Sequence, residues 1–425
     1  MLNRLGVPPL KLLHAADLHI DSPLHGLEKY PDAPVDMIRA ASRRATENLV
    51  ALALDEQVDA VLLAGDVYDG DWRGYDTGLF FQRQLGILGD AGIQVYLVSG
   101  NHDAQSQITK NLRLPNNVHK FDTHQSQSIE DPDVGLVVHG QGYARRDVME
   151  NLAADYPRAM PGMFNVGLLH TALTGRAGHT KYAPCSVEEL VSRGYGYWAL
   201  GHVHTREVVF EEPHIVFPGN IQGRSIRETG PKGCTLVTVT DKGSVAVEHR
   251  DLDVVRWAHL RVDATSADDL DDVCELVRTQ LATERDRSDG RLVAARVTVT
   301  GRSAAHAELW RERERLTVEV RSIAVDLGEV WVEKVGPGTS PLDAGAGDGV
   351  NDVTDMIAGL LRTAKELGTD EDAVRRFVER DPLWSKLSGD VRGEDRLNSS
   401  SAEWCAQLLS EASDLLVSML QEGSR

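Results

Sequence analysis

Leu10-Lys11-Leu12-Leu13-His14-Ala15-Ala16-Asp17-Leu18-His19 is a short apolar run that stops at an aspartate and a histidine two positions apart. A run of this length reads as a buried strand, and alternate residues of an extended segment project to the same side, so Asp17 and His19 converge beyond its end. Working outward, the same arrangement recurs four times. Gly65-Asp66-Val67-Tyr68-Asp69 follows VLLA, Gly100-Asn101-His102-Asp103 follows VYLVS, His170 follows VGLL, and Gly201-His202-Val203-His204 follows YWAL. One such motif arises often by chance. Five in series, each closing a run that should be buried, do not. Between the first two runs, Met37, Ala41, Leu49, Val50 and Ala53 recur at helical spacing over Val35 to Leu54. Strand, helix, strand is the natural reading, with a second helix near Gly78 to Asp90. Further strands are expected at Gln94–Val98, Gly135–His139, Asn165–Leu169, Tyr197–Leu200, Glu207–Phe210 and Cys234–Val239. In an open α/β sheet, ligands bind beyond the carboxyl ends of the strands, where all five motifs would gather.

The whole chain has 425 residues, which favours two or three domains over one core. With 41% hydrophobic and 26% charged residues it is a folded globular protein, neither fibrous nor disordered. A formal net charge of -20 argues against a broad basic surface that grips nucleic acid by charge alone, though not against local positive sites. Cys185, Cys234, Cys274 and Cys405 are far apart and form no CxxC pair, so buried free thiols are expected. The N-terminus lacks a signal-peptide stretch and no apolar run approaches membrane-spanning length, which makes the cytoplasm the default location.

Around Arg256 the pattern changes to strand, helix, strand, helix, strand. The pieces are Ala258–Val262, Ala267–Leu281, Leu292–Thr300, Ala304–Leu316 and Val330–Val335, and they imply a small α/β accessory domain. Arg311, Arg313 and Arg315 alternate there with Glu312 and Glu314, as expected of a solvated helix face. Gly336 to Gly349 (GPGTSPLDAGAGDG) reads as a flexible linker. A helical region follows, whose last segment puts Trp404, Leu408, Leu409, Leu415, Leu416, Met419 and Leu420 on one face. The expected division is therefore 1–255, 256–335, a linker over 336–350, and 351–425.

Carboxylate, imidazole and amide donors without a thiolate suit hard or borderline divalent ions such as Mn²⁺, Fe²⁺, Zn²⁺ or Mg²⁺. Seven potential ligands exceed what one ion needs if substrate is also to bind. Two ions sharing a carboxylate fit better, at a separation of about 3.5 to 4 Å. Such a centre stays locally positive even in an acidic protein and attracts a phosphate.

The set D-x-H, G-D-x-x-D, G-N-H-D, H and G-H-x-H resembles the calcineurin-like metallophosphoesterase superfamily. The longer stretches HAADLHIDSPLHGL, GDVYDGD, SGNHDAQS, YWALGHVHTREVV and FPGNIQGRSIRETGPKGC are similar to bacterial DNA repair exonucleases of the SbcD type, most of all the YhaO-like subgroup, over residues 10 to 240. The resemblance implies a four-layer αββα sandwich with a small α/β capping domain and a C-terminal helical segment. It implies that Asp17, His19, Asp66 and His204 hold one ion and Asp66, Asn101, His170 and His202 the other, with Asp66 as the bridge. His102 would face the phosphate, stabilising it or protonating the leaving oxygen, and Asp69 would orient His102. It also implies Mn²⁺, DNA as substrate, an SMC-like ATPase partner docked on the C-terminal helices, and a homodimer.

Arg224, Arg227 and Lys232 lie in a loop soon after the last histidine motif and are expected either to position backbone phosphates or to stand as solvated loop charges or partners of Glu228. His179 and Lys181 sit near His170 in sequence without matching a motif position, and Trp72 is placed to stack on a base or to pack in a loop. The other histidines, His14 among them, read as surface or core residues. The first expectation is a Mn²⁺-dependent DNA nuclease acting in repair. The alternative enzyme is a phosphodiesterase or phosphatase for a small nucleotide, which the acidic composition favours. A third reading, a binding subunit that has lost catalysis, sits poorly with a complete set of donors.

Overall fold

The computed structural model describes residues 9–23, 32–69, 76–105, 113–173 and 182–342, together with Arg376 and Ala412, both helical and exposed. Trp72, His179, Lys181, Cys405 and the Trp404–Leu420 face lie outside the described residues. The chain divides into two compact units, residues 1–258 with 288–294, and residues 259–287 with 295–425.

The first unit is built on two six-stranded sheets. In one, β1 (Leu10–Ala15), β2 (Ala60–Ala64), β3 (Gln94–Val98) and β4 (Val118–Lys120) run parallel, and β11 (Gly233–Val239) and β12 (Val245–Asp251) continue beyond β1 in antiparallel fashion. In the other, β6 (Leu136–Gln141), β7 (Phe164–His170), β8 (Tyr197–Gly201) and β10 (His214–Phe217) are parallel, with β5 (Gln127–Asp131) and β9 (Glu207–Glu211) as antiparallel edges.

Period-two alternation decides which core each strand residue joins. Leu12, Leu62, Tyr96 and Val98 face Val166, Leu168, Tyr197 and Ala199 between the sheets. Their neighbours Leu13, Val61, Leu63, Val95 and Leu97 turn outward to pack under α1 (Val35–Asp55) and α2 (Asp76–Asp90), through Leu49, Ala53, Phe81 and Leu85. Leu169, Trp198 and Leu200 do the same under α4 (Val187–Ser192) and a single 3-10 turn at Leu152–Asp155. The result is the helix, sheet, sheet, helix sandwich that the resemblance implied. Another short helix, α3 (Asn101–Gln105), follows β3 directly.

His14 is a polar side chain inside the sheet-to-sheet core. His14 accepts from the Tyr197 hydroxyl at Nδ1 (2.9 Å) and reaches Leu200 O with Nε2 (3.2 Å), so its neutral form is fully satisfied. Burial, against the pull of the Leu200 carbonyl, lowers its pKa from 6.5 to about 3. Below pH 6.5 the unfolded chain takes up a proton that the folded chain refuses, so this contribution to stability is lost as pH falls toward 3. At pH 5 the loss amounts to about 2 kcal/mol. Denaturant titrations at pH 7 and pH 5 should show that much less destabilisation by acid in His14→Asn than in the unmutated chain. Equal losses in both would show that His14 does not carry this pH dependence.

Most of a three-stranded sheet, β13 (Val255–Asp263), β14 (Leu292–Ser303) and β15 (Val330–Pro341) in that order, belongs to the second unit. Helix α5 (Leu270–Arg287) packs on α7 (Arg313–Leu327), and α7 and α6 (His306–Arg311) pack on β15. The single helix expected over Ala304–Leu316 is broken at Glu312 and continues to Leu327. Arg311 and Arg315 pair with Glu312, and Arg315 also with Asp271, on the surface.

The expected linker needs correction. Residues 336–341 are not linker but continue β15 as an edge strand, where Pro337 and Pro341 are tolerated because one side of the strand needs no ladder partner. Gly338 lets the backbone approach β14 closely, since a Cβ there would lie 3.2 Å from Thr298 Cγ2 and 3.3 Å from Val299 O. Residues 343–350 lie outside the described residues. The three described cysteines, Cys185, Cys234 and Cys274, are buried free thiols. No helix among the described residues is long and apolar enough to cross a membrane.

Candidate metal centre

All five motifs leave the carboxyl ends of parallel strands: β1, β2 and β3 in one sheet, β7 and β8 in the other. The registers Ala15↔Leu63, Ala64↔Val98 and His170↔Gly201 bring those ends level within each sheet. The chain then turns sharply. Asp17 (φ 52°), His19 (φ 43°), Asp66 (φ 50°) and His202 (φ 103°) all adopt left-handed backbone, which an L-residue holds only when its surroundings impose it. Here the clamps are main-chain bonds from Asp17 N to Gly65 O (3.0 Å) and from His19 N to Asp66 O (3.1 Å). The Asp103 carboxylate accepts from Gly100 N and Tyr68 N, both at 3.0 Å, and ties the β3 turn to the β2 turn. Two glycines allow the closest approaches. A Cβ on Gly201 would collide with Ala64 O, and one on Gly100 with Asp66 Oδ1.

Two clusters of donors result. Asp17, His19 and His204 form one, and Asp66, His170 and His202 the other, with the donor atoms of each within 4.8 Å of one another. Asn101 joins the second, its Oδ1 lying 3.0 Å from His170 Nε2, which is also 3.4 Å from Asp66 Oδ2. His19 Nε2 and His204 Nε2 face each other at 3.2 Å. A third grouping, His19, Asp69 and His102, abuts the first: His102 Nδ1 is 2.8 Å from Asp69 Oδ1, and Ser22 Oγ donates to Asp69 Oδ2 at 2.5 Å. The seven expected donors, His102 and Asp69 are thus gathered in one place.

The ring orientations suit cation binding. His170 Nδ1–H donates to Ala64 O (2.9 Å) and His204 Nδ1–H to Glu228 Oε1 (2.8 Å), so Nε2 is the atom each ring turns toward the carboxylates. Burial, aided by Arg224, lowers His19 to about 4, so that ring is neutral. Burial alone would raise Asp66, but His170, His19 and His102 hold its carboxyl well below the usual range. Burial likewise opposes a proton on His170, yet Asp66 and Asp17 push that ring up to about 9. The two carboxylates therefore demand positive charge at this point, which divalent cations held by oxygen and imidazole donors satisfy.

Residues 10–206 match the family model of the calcineurin-like phosphoesterases, and residues 257–340 match that of the middle domain of metallophosphoesterase YhaO. A Bacillus subtilis (strain 168) relative, an uncharacterized metallophosphoesterase named YhaO, is 35% identical over 296 residues, which are 69% of this chain and 72% of the relative. The chain belongs to the calcineurin-like phosphoesterases. It is related to the YhaO family within them. A solved structure from Thermus thermophilus (TM-score 0.32, 14% identity) covers 57% of this chain and 99% of its own. A dimetal phosphatase from Danio rerio (TM-score 0.36, 11% identity) covers 58% and 97%. At those scores the likeness carries no argument.

For a metal-dependent phosphoesterase, the two clusters are a candidate dimetal site, and a pocket of about 540 Å³ opens onto Asp66, Asn101, His102, His202 and His204. Its wall also includes Arg146, Arg227 and Lys232. Arg146 went unnoticed in the sequence because it belongs to no motif. Lys232 Nζ donates to His204 O (3.0 Å), and burial lowers its pKa. Of the readings open for Arg224, the partnership with Glu228 is present: its guanidinium is turned onto the Glu228 carboxylate (3.0 Å) and toward Asp69 Oδ2 (3.5 Å), two acids with 13% and 17% of their side chains exposed.

Proposed function

We propose that this phosphoesterase is a Mn²⁺-dependent DNA nuclease that removes nucleotides from an end and acts in DNA repair. The observation that carries the reading is the placement of His102, held by Asp69, on the wall of the same pocket as both donor clusters and three cations, in a chain of net charge -20. Asp17, His19 and His204 would hold one ion and Asn101, His170 and His202 the other, with Asp66 between them. When bound, two such ions compensate charge on phosphoryl oxygens and acidify the attacking water.

The protein's own groups supply the rest. Asp69 accepts the Nδ1–H of His102, so Nε2 is the nitrogen left for the substrate. Burial opposes a charge on that ring, but the hydrogen bond to Asp69 and the charges of Asp66 and Asp69 raise its pKa, which keeps a proton available for the leaving oxygen. Arg227, Lys232 and Arg146, on the wall of the same pocket, would hold flanking phosphates. By likeness to the SbcD type, residues 351–425 would dock on an SMC-like ATPase and the chain would form a homodimer.

The test is degradation of end-labelled linear DNA with Mn²⁺ beside hydrolysis of bis-p-nitrophenyl phosphate. Progressive shortening from the labelled end is expected, steeply weakened by salt. A chain that cleaves only the small ester would instead be a small-nucleotide phosphodiesterase. In the same preparation, deletion of Asn351 to Arg425 is expected to release any co-purifying ATPase.

A further inference from the structure

We propose that Glu228 and Arg224 are positioning residues, forming a strut that locks the ring of His204 in one donor cluster to the ring of His102 at the substrate. The inference rests on the phosphoesterase reading above and goes beyond it. The path is continuous. Glu228 Oε1 accepts from His204 Nδ1 (2.8 Å), and Glu228 Oε2 accepts from Arg224 N (2.8 Å) and Asn220 Nδ2 (2.9 Å). Arg224 Nη2 returns to Glu228 Oε1 (3.0 Å), while Nη1 reaches Asp69 Oδ2 (3.5 Å), whose other oxygen holds His102 Nδ1 (2.8 Å). Arg224 Nη2 also lies 3.2 Å from His204 Nδ1, but that nitrogen cannot accept while its proton goes to Glu228. Arg224 therefore acts through the two carboxylates, and its planar fork is what lets one side chain hold both.

Both members are sheltered, with 24% and 13% of their side chains exposed, so water does not replace them cheaply. Their loop is pinned to the histidine turn at two further points, where Asn220 N and Lys232 Nζ both donate to His204 O, and is closed on itself by Gly233 N donating to Asn220 O. A phosphate contact would need Arg224 to leave two acids for a mobile ligand.

The experiment uses the full chain, with Mn²⁺ binding followed by calorimetry and bis-p-nitrophenyl phosphate turnover measured in parallel. Glu228→Gln is expected to weaken Mn²⁺ binding roughly 10- to 100-fold, the usual effect of removing the partner of a ligating histidine. Arg224→Gln should lower kcat roughly 10-fold or more with KM within about 2-fold, because it misplaces His102 without touching substrate. Arg224→Lys, which keeps the charge if Arg224→Gln fails to fold, should bind Mn²⁺ almost normally yet still lose kcat, since one ammonium cannot span both acids. A rise in KM with kcat and the Mn²⁺ isotherm unchanged would make Arg224 a substrate contact and overturn the strut. So would an Arg224→Lys variant with unmutated kcat. An unmutated chain that binds no Mn²⁺ would overturn the reading of the centre, and the strut with it.

Discussion

Asp66→Asn is expected to leave the chain folded while it loses bound Mn²⁺ and at least about 10³-fold in phosphodiester turnover. The substitution keeps the shape of the side chain and the oxygen that accepts His102 N–H (2.9 Å). It removes the negative charge against which His170 is set at 3.4 Å and around which His19 and His102 are arranged. An amide is a poor ligand for two cations at once and turns a donor toward imidazole nitrogens. Metal content, a thermal melt and turnover of bis-p-nitrophenyl phosphate read the three consequences separately. Retained turnover with a normal melt would remove this centre from the chemistry.

His102→Ala should give the second large effect, about 10²- to 10⁴-fold in kcat, with Mn²⁺ affinity changed little. The separation is possible because His102 touches Asp66 through its main-chain nitrogen, which alanine keeps, and only its ring reaches Asp69 and the pocket. The size of the loss should depend on the leaving group. If the ring protonates the departing oxygen, a p-nitrophenolate, which needs no proton, will hide part of the deficit that a dinucleotide exposes. Equal losses on both substrates would assign the ring to charge stabilisation on the phosphoryl group instead. An unchanged kcat on the dinucleotide would contradict both roles.

The parts of the molecule that were legible in sequence are those where burial and chemistry coincide. LKLLHA, AVLLA, QVYLV, FNVGLLH and YWALG are buried almost throughout, so their apolar runs announced the strands, and each stopped where a donor began. Two edge strands, β5 and β12, gave no such signal. QSIED and VAVEHRD are half-exposed and rich in polar residues, and their pairing with β6 and β11 is set by the strands beside them rather than by their own composition. Distance along the chain hid the supporting residues. Nothing local ties Glu228 to His204 across 24 positions or Ser22 to Asp69 across 47, and for Arg224 the sequence offers only the i,i+4 partner Glu228, Asp69 being brought to it by the fold. The sequence leaves His14 open between surface and core, since its partners Tyr197 and Leu200 arrive from the other sheet.

The division of the donors between the two sheets has a consequence for folding. Asp17, His19, Asp66 and Asn101 come from one sheet and His170, His202 and His204 from the other, so cations held between them cross-link segments far apart in the chain. Their affinity would belong to the native state alone and would add to its stability by mass action. Chelation thus withdraws a brace from the whole sandwich at once: protection of β1, β2, β7 and β8 against proteolysis would fall in step, with no surviving half.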